Sequence, residues 1–111
     1  MIKATDFGDD FLWGIATAAT QIEGAADIYG KGQSIWDTFS KRKGKIKRGH
    51  HPAFACDFYH QYKADLALVK TLGFKIFRFS IAWSRLLPNG RGDINQEGIL
   101  FITILLMNVW N

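Results

Sequence analysis

Arg78 is the residue whose setting most calls for a chemical explanation. It is a permanent cation inside Phe-Lys-Ile-Phe-Arg-Phe-Ser-Ile-Ala-Trp-Ser-Arg, residues 74 to 85. A guanidinium on an apolar strand face is costly to desolvate alone, so it requires an anion or several acceptors. Two roles fit, a structural ion pair at the strand's end or the orienting of a carboxylate or substrate in a site. Glu23 and Asp37 are candidates for a carboxylate pair capable of acid–base work, although a long loop separates them. Their mutual distance cannot be read from spacing. His50 and His51 form no ligand pattern with other His or Cys residues, so no metal is expected and a loop role is assigned. Trp13, Trp36 and Trp83 could stack on sugar rings, but they are dispersed and read equally well as core.

The charge distribution offers a second chemistry. Six of the fourteen basic residues fall between Lys41 and Arg48, in a chain of net charge +4. Such a run can contact phosphates, yet no aromatic or base-reading polar residue interleaves with it, which favours a solvated loop over nucleic acid. The chain has 111 residues, 48% of them hydrophobic and 14% aromatic, which suits one small globular unit. One cysteine, Cys56, excludes an internal disulfide and suits a reducing, cytoplasmic address. No signal-peptide pattern is read at the N-terminus, and no apolar run approaches the roughly 20 residues of a membrane span.

The elements that must position these residues are legible in outline. Phe11 to Gly24 is apolar and rich in small residues, and predicts a strand over 12–18, buried on both faces and close to neighbouring backbone at Gly14. Helix propensity in Ala16 to Ala19 makes a helix the rival reading there. Residues 24–51 lack periodicity and are punctuated by glycines, with Ser34 to Phe39 as one helical turn. Ala55, Tyr59, Tyr62, Leu66, Val69 and Leu72 recur at spacings of three and four, which predicts a helix over 55–72 that ends at Gly73. A buried strand over 74–85 follows, with Arg78 on the face of Phe74, Ile76 and Ser80. Strand, helix, strand in that order is a parallel βαβ unit, so the loops after both strands share the carboxyl edge of the sheet.

Several stretches together are specific. Phe-Leu-Trp-Gly-Ile-Ala-Thr-Ala-Ala-Thr-Gln-Ile-Glu-Gly-Ala at 11–25 resembles the N-terminal signature of glycoside hydrolase family 1, the β-glucosidase family. The family's order continues through Gly-Lys-Gly-Gln-Ser-Ile-Trp-Asp-Thr-Phe at 30–39, Ala-Cys-Asp-Phe-Tyr-His-Gln-Tyr-Lys-Ala-Asp at 55–65 and Phe-Arg-Phe-Ser-Ile-Ala-Trp-Ser-Arg at 77–85. Leu87 to Gly92 and Asn95 to Gly98 complete it. Thr20 departs from the pattern, which usually has a larger residue before the glutamine.

The resemblance implies an α/β fold, namely the first strand, first helix and second strand of a truncated (β/α)8 TIM barrel. It implies a retaining β-glycosidase acting on a small-molecule β-glycoside or oligosaccharide without a cofactor. In that chemistry one carboxyl protonates the leaving oxygen while a second attacks the anomeric carbon. Both catalytic glutamates of the family lie on later strands, so none is expected here and the chain alone is expected to be inactive. Gln21 matches the glutamine that holds sugar hydroxyls, although a side-chain amide can also serve the loop backbone. Arg78 matches the arginine beside the nucleophile. Glu23, Trp36 and Asp37 are read as site architecture. Residues 1–101 carry the barrel pattern, whereas 102–111 form an apolar tail outside it, attributed to a shifted reading frame or a truncation. A non-catalytic module binding carbohydrate or nucleic acid is the alternative. Glycone preference and oligomeric state are open.

Overall fold

Fourteen residues with an apolar stripe, closed by a left-handed glycine, make the strut of the molecule. The computed structural model describes residues 1–110. The elements are β1 (Gly14–Ala16), α1 (Ala19–Ile22), α2 (Ile35–Ser40), α3 (Phe58–Thr71), β2 (Ile76–Arg78), α4 (Trp83–Leu86) and α5 (Gln96–Trp110). Gly73, at φ +80°, donates its N–H to the Lys70 carbonyl and ends α3 as the sequence predicts. The helix starts three residues later than expected. Ala55 and Asp57 adopt left-handed backbone, and Phe58 takes the buried place assigned to Ala55.

β1 and β2 pair in parallel, with Gly14 opposite Ile76, Ile15 opposite Phe77 and Ala16 opposite Arg78. The predicted strand–helix–strand order is therefore present. Both strands are shorter than their apolar runs suggest. The 12–18 strand is cut to three residues and only Ile15 is half-buried, because one face alone is covered. Gly14 is where close approach was expected. A Cβ there would lie 2.7 Å from the Ile76 Cβ. The 74–85 strand ends at Arg78, and the chain then turns into α4.

The core is a wedge between α3, β2 and α5. Phe58, Phe101, Ile102 and Leu105 are buried, with Tyr62, Leu66, Phe77, Phe79 and Leu86 packed around them. Each such side chain contributes about 1.5–3 kcal/mol when fully buried. Residue 101 lies inside α5, and Ile102 and Leu105 of the apolar stretch that follows are core residues. The opposite face of α5, with Leu106, Met107 and Trp110, stays exposed.

The unit is open. Its accessible surface is 8490 Å², against about 6200 Å² for a compact monomer of this mass. Its radius of gyration is 16.6 Å, against about 13 Å. Exposed apolar residues are spread over the N-terminal segment, the loops, the strand faces and the outer helix sides, among them Ile2, Phe54, Ile76, Leu68 and Leu106.

Gly98 sets the crossing of α4 and α5. A Cβ there would strike the Arg85 carbonyl oxygen and lie 2.9 Å from its carbonyl carbon. Alanine would gain about 1 kcal/mol of helix propensity, but displacing backbone in a packed contact costs about 1–3 kcal/mol. Gly98→Ala is therefore expected to destabilise. A urea midpoint equal to or above the parent's would show that α5 can slide freely.

Candidate active site

The site region is built where both strands end. The Thr17 amide and hydroxyl both donate to the Arg78 carbonyl, at 2.8 and 3.2 Å. Ser80 then turns its hydroxyl back to accept the Ala19 N–H at 2.8 Å. That bond satisfies a donor at the start of α1, which its own N-cap, Ala18, cannot do. The turn carrying Gln21 is thus pinned to the segment after β2, and Gln21 and Arg78 belong to one edge of the sheet.

Arg78 shares the open face with Ile76 and Ser80, while Phe77 and Phe79 face the core wedge. The guanidinium is exposed and has no ion pair or hydrogen bond among the described residues. The structural ion pair considered for it is not realised there. Gln21 is exposed as well. Its carbonyl accepts from Cys56 Sγ at 3.9 Å, and its side-chain amide has no hydrogen bond among the described residues.

Of the two arginines on this run, Arg85 is the one with a structural ion pair. It is 1% exposed, and its Nε donates to Glu23 Oε2 at 2.8 Å. Nη2 donates to the Gly24 and Ala25 carbonyls at 3.2 and 3.4 Å. The guanidinium lies 4.5 Å from the Tyr59 ring centre and 5.8 Å from that of Phe101, a cation–π arrangement. Tyr29, Tyr59 and Phe101 stack in a column, at 4.8 and 4.3 Å. Burial pushes the Tyr59 hydroxyl above its ordinary value, partly offset by the positive charge of Arg85. Sequence reasoning missed this knot. Its trace was there, since Glu23 is the only charge between Phe11 and Ala26.

Glu23 and Asp37 do meet around one cavity of about 640 Å³, also lined by Lys31, Ser34, Ser80 and Trp83. Neither is free to act. Glu23 is held by Arg85, and Asp37 Oδ2 receives the Lys31 ammonium at 2.8 Å and the Ser34 amide and hydroxyl at 2.7 and 2.8 Å. Ser34 and Asp37 form a reciprocal cap at the start of α2. Gln21 and Arg78 do not line this cavity.

Burial alone would raise the Asp37 carboxyl, but the Lys31 and Ser34 hydrogen bonds outweigh it and hold the group below its ordinary value. A depressed folded value means the contribution is complete above the unfolded value of about 3.9 and is lost as pH falls through the folded one. We expect acid to loosen the loop around α2, with Asp37→Asn flattening the fall in melting temperature between pH 5 and 3. Parallel acid limbs in the two proteins would contradict this.

The basic loop is exposed at Lys41, Arg42, Lys43, Lys45, Lys47 and Arg48, and Lys41 approaches Asp27 at 3.9 Å. The tryptophans stay apart. Trp13 packs with Phe7 and Phe11, Trp36 with Phe39, and Trp83 Nε1 donates to the Gly90 carbonyl. No helix among the described residues is long and apolar enough to cross a membrane.

The sequence profile of Glycosyl hydrolase family 1 matches residues 3–110. Beta-glucosidase A of Acetivibrio thermocellus is 53% identical over 101 residues, covering 91% of this chain and 22% of that protein. The aryl-phospho-beta-D-glucosidase BglC of Bacillus subtilis is 47% identical over 100 residues, covering 90% of this chain and 21% of its own length. A rice beta-glucosidase variant, solved in a covalent complex with Glc, superposes with a TM-score of 0.88 at 43% identity. It covers 92% of this chain and 21% of that structure. The chain thus spans about a fifth of the length of these relatives. The β1–α3–β2 unit is an N-terminal portion of a (β/α)8 barrel.

Proposed function

The chain belongs to glycosyl hydrolase family 1, and from that premise we propose that it supplies the first strands of a retaining β-glycosidase. The substrate class is a terminal β-linked glucosyl or related residue on an oligosaccharide or aglycone. Gln21 holds glycone hydroxyls through an amide that can both donate and accept. Arg78 stands beside the nucleophilic carboxylate and keeps it ionised. The catalytic carboxylate pair comes from later barrel strands, outside these 111 residues, so residues 1–111 alone do not turn over substrate. The exposed single cysteine supports a reducing, cytoplasmic location.

The observation that carries this reading is that Gln21 and Arg78, whose polar side-chain groups have no partner among the described residues, belong to one sheet edge whose turns are cross-tied by Ser80 and Thr17. The test is a chimera in which residues 6–101 replace the matching segment of the Acetivibrio Beta-glucosidase A. Hydrolysis of 4-nitrophenyl β-D-glucoside, or of its 6-phosphate, is expected from the chimera and not from the 111-residue chain. A folded but inactive chimera would reject the reading, and turnover by the isolated chain would reject the placement of the carboxylates.

A further inference from the structure

Three side chains form a relay that the glycosidase reading does not use. Asp57 Oδ1 lies 2.6 Å from His60 Nδ1, and His60 Nε2 lies 3.0 Å from the Tyr29 hydroxyl. A carboxylate can only accept, so in the neutral imidazole the proton sits on Nδ1 and the Nε2 lone pair faces the Tyr29 hydroxyl. This is the order carboxylate, imidazole, hydroxyl that activates nucleophiles in acyl transfer.

The three groups come from distant sequence and are held by different means. Asp57 precedes α3 in left-handed backbone, at φ +53°. Its carboxylate does not cap its own helix and reaches His60 one turn on instead. Tyr29, at φ +55°, is fixed by stacking on Tyr59, by the edge of the His60 ring at 5.6 Å, and by the Asn95 amide on its carbonyl at 2.8 Å. The phenol oxygen therefore cannot drift far from Nε2. All three residues remain open enough to solvent for a small reagent to reach them, with the Asp57 and His60 side chains 42% and 43% exposed.

We propose that Tyr29 is an activated nucleophile, a modification site that accepts acyl groups from small activated esters. In the step, the Tyr29 oxygen forms a bond to the acyl carbon and the ester's bond to its aryloxide leaving group breaks. The phenol proton passes to His60 Nε2 and then to the departing aryloxide. No redox partner is required, and the product is an O-acyl tyrosine. Asp57 acts through His60, by fixing the tautomer and stabilising the imidazolium. It is a positioning residue.

The experiment treats the full chain with 4-nitrophenyl acetate at pH 7.5 and follows each tyrosine by peptide mass spectrometry, with N-acetyltyrosinamide as the unassisted phenol. General-base assistance of this kind contributes about 10²–10⁴-fold. Tyr29 is expected to acetylate at least about 10²-fold faster than both Tyr62 and the free phenol. His60→Gln retains an amide oxygen to accept from the phenol but no basic nitrogen, so it should bring Tyr29 down to the Tyr62 rate. Asp57→Asn, which tolerates left-handed backbone, should lower it at least about tenfold. A Tyr29 rate in the unaltered chain no greater than that of the free phenol overturns the proposal whatever the variants do. An unchanged rate in His60→Gln overturns it too, leaving the cluster as a clamp between the loop and α3.

Discussion

Arg85→Met is expected to destabilise the chain by about 3–5 kcal/mol, the usual consequence of leaving one partner of a buried ion pair behind. Unfolding free energies of whole domains run from about 5 to 15 kcal/mol, and this one is open, so the variant should be largely unfolded at 37 °C. The Glu23 side chain is 7% exposed, and no other cation pairs with it among the described residues. The Gly24 and Ala25 carbonyls lose their donor, and the Tyr59–Phe101 stack loses the cation over its faces. Removing both charges should hurt less than removing one, since an uncharged pair carries no stranded carboxylate. Glu23→Gln with Arg85→Met is therefore expected to recover part of the loss. Recovery is incomplete because the two carbonyls stay unpaired. The Arg85 Nη1 group already lacks a partner among the described residues, so the native pair is itself imperfect. Urea midpoints for the two single variants and the double give the coupling energy. A single Arg85→Met variant with an unchanged midpoint would mean that the pair is not part of the folded ground state.

What could be read beforehand divides along physical lines. The α3 helix has local causes, a 3.6-residue stripe and a left-handed glycine at its end, and both act within a few residues. Gly14 was legible for a similar reason, since a small residue in an apolar strand reports backbone approach. Strand lengths were not legible. Phe79 and Ile81 continue the period-two pattern, but Ser80 is taken by the Ala19 N–H across 61 residues and the ladder stops at Arg78. No local signal records that competition. The α5 helix was hidden by its own composition, because a helix apolar all round has no period to detect. Glu23 was read as architecture, but its partner, 62 residues away, could not be chosen between two arginines on one apolar run. Spacing pointed to Arg78 as the constrained one, whereas tertiary contact buries Arg85 and leaves Arg78 in the open.

That exchange of roles makes Arg78 the sharper probe of function. In the chimera with Acetivibrio Beta-glucosidase A, Arg78→Met is expected to lower kcat/KM for the aryl glucoside by about 10²–10³, the scale for losing one preorganised charge contact. In the 111-residue chain by itself Arg78→Met should hardly change stability, because the guanidinium has no partner among the described residues and its neighbours on that face are Ile76 and Ser80. The pH profile distinguishes this role from simple scaffolding. A cation beside a carboxylate lowers its pKa, so removing the cation raises it and moves the acid limb of kcat/KM to higher pH. Arg78→Lys keeps the charge without the planar fork and should preserve the limb while losing part of the rate. Gln21→Ala is expected to act differently. It removes hydrogen bonds to the sugar, lowering kcat/KM by about tenfold, without moving the limb. If Arg78→Met lay within threefold of the parent chimera, or lost activity with the acid limb unmoved, Arg78 would not be the partner of the nucleophile.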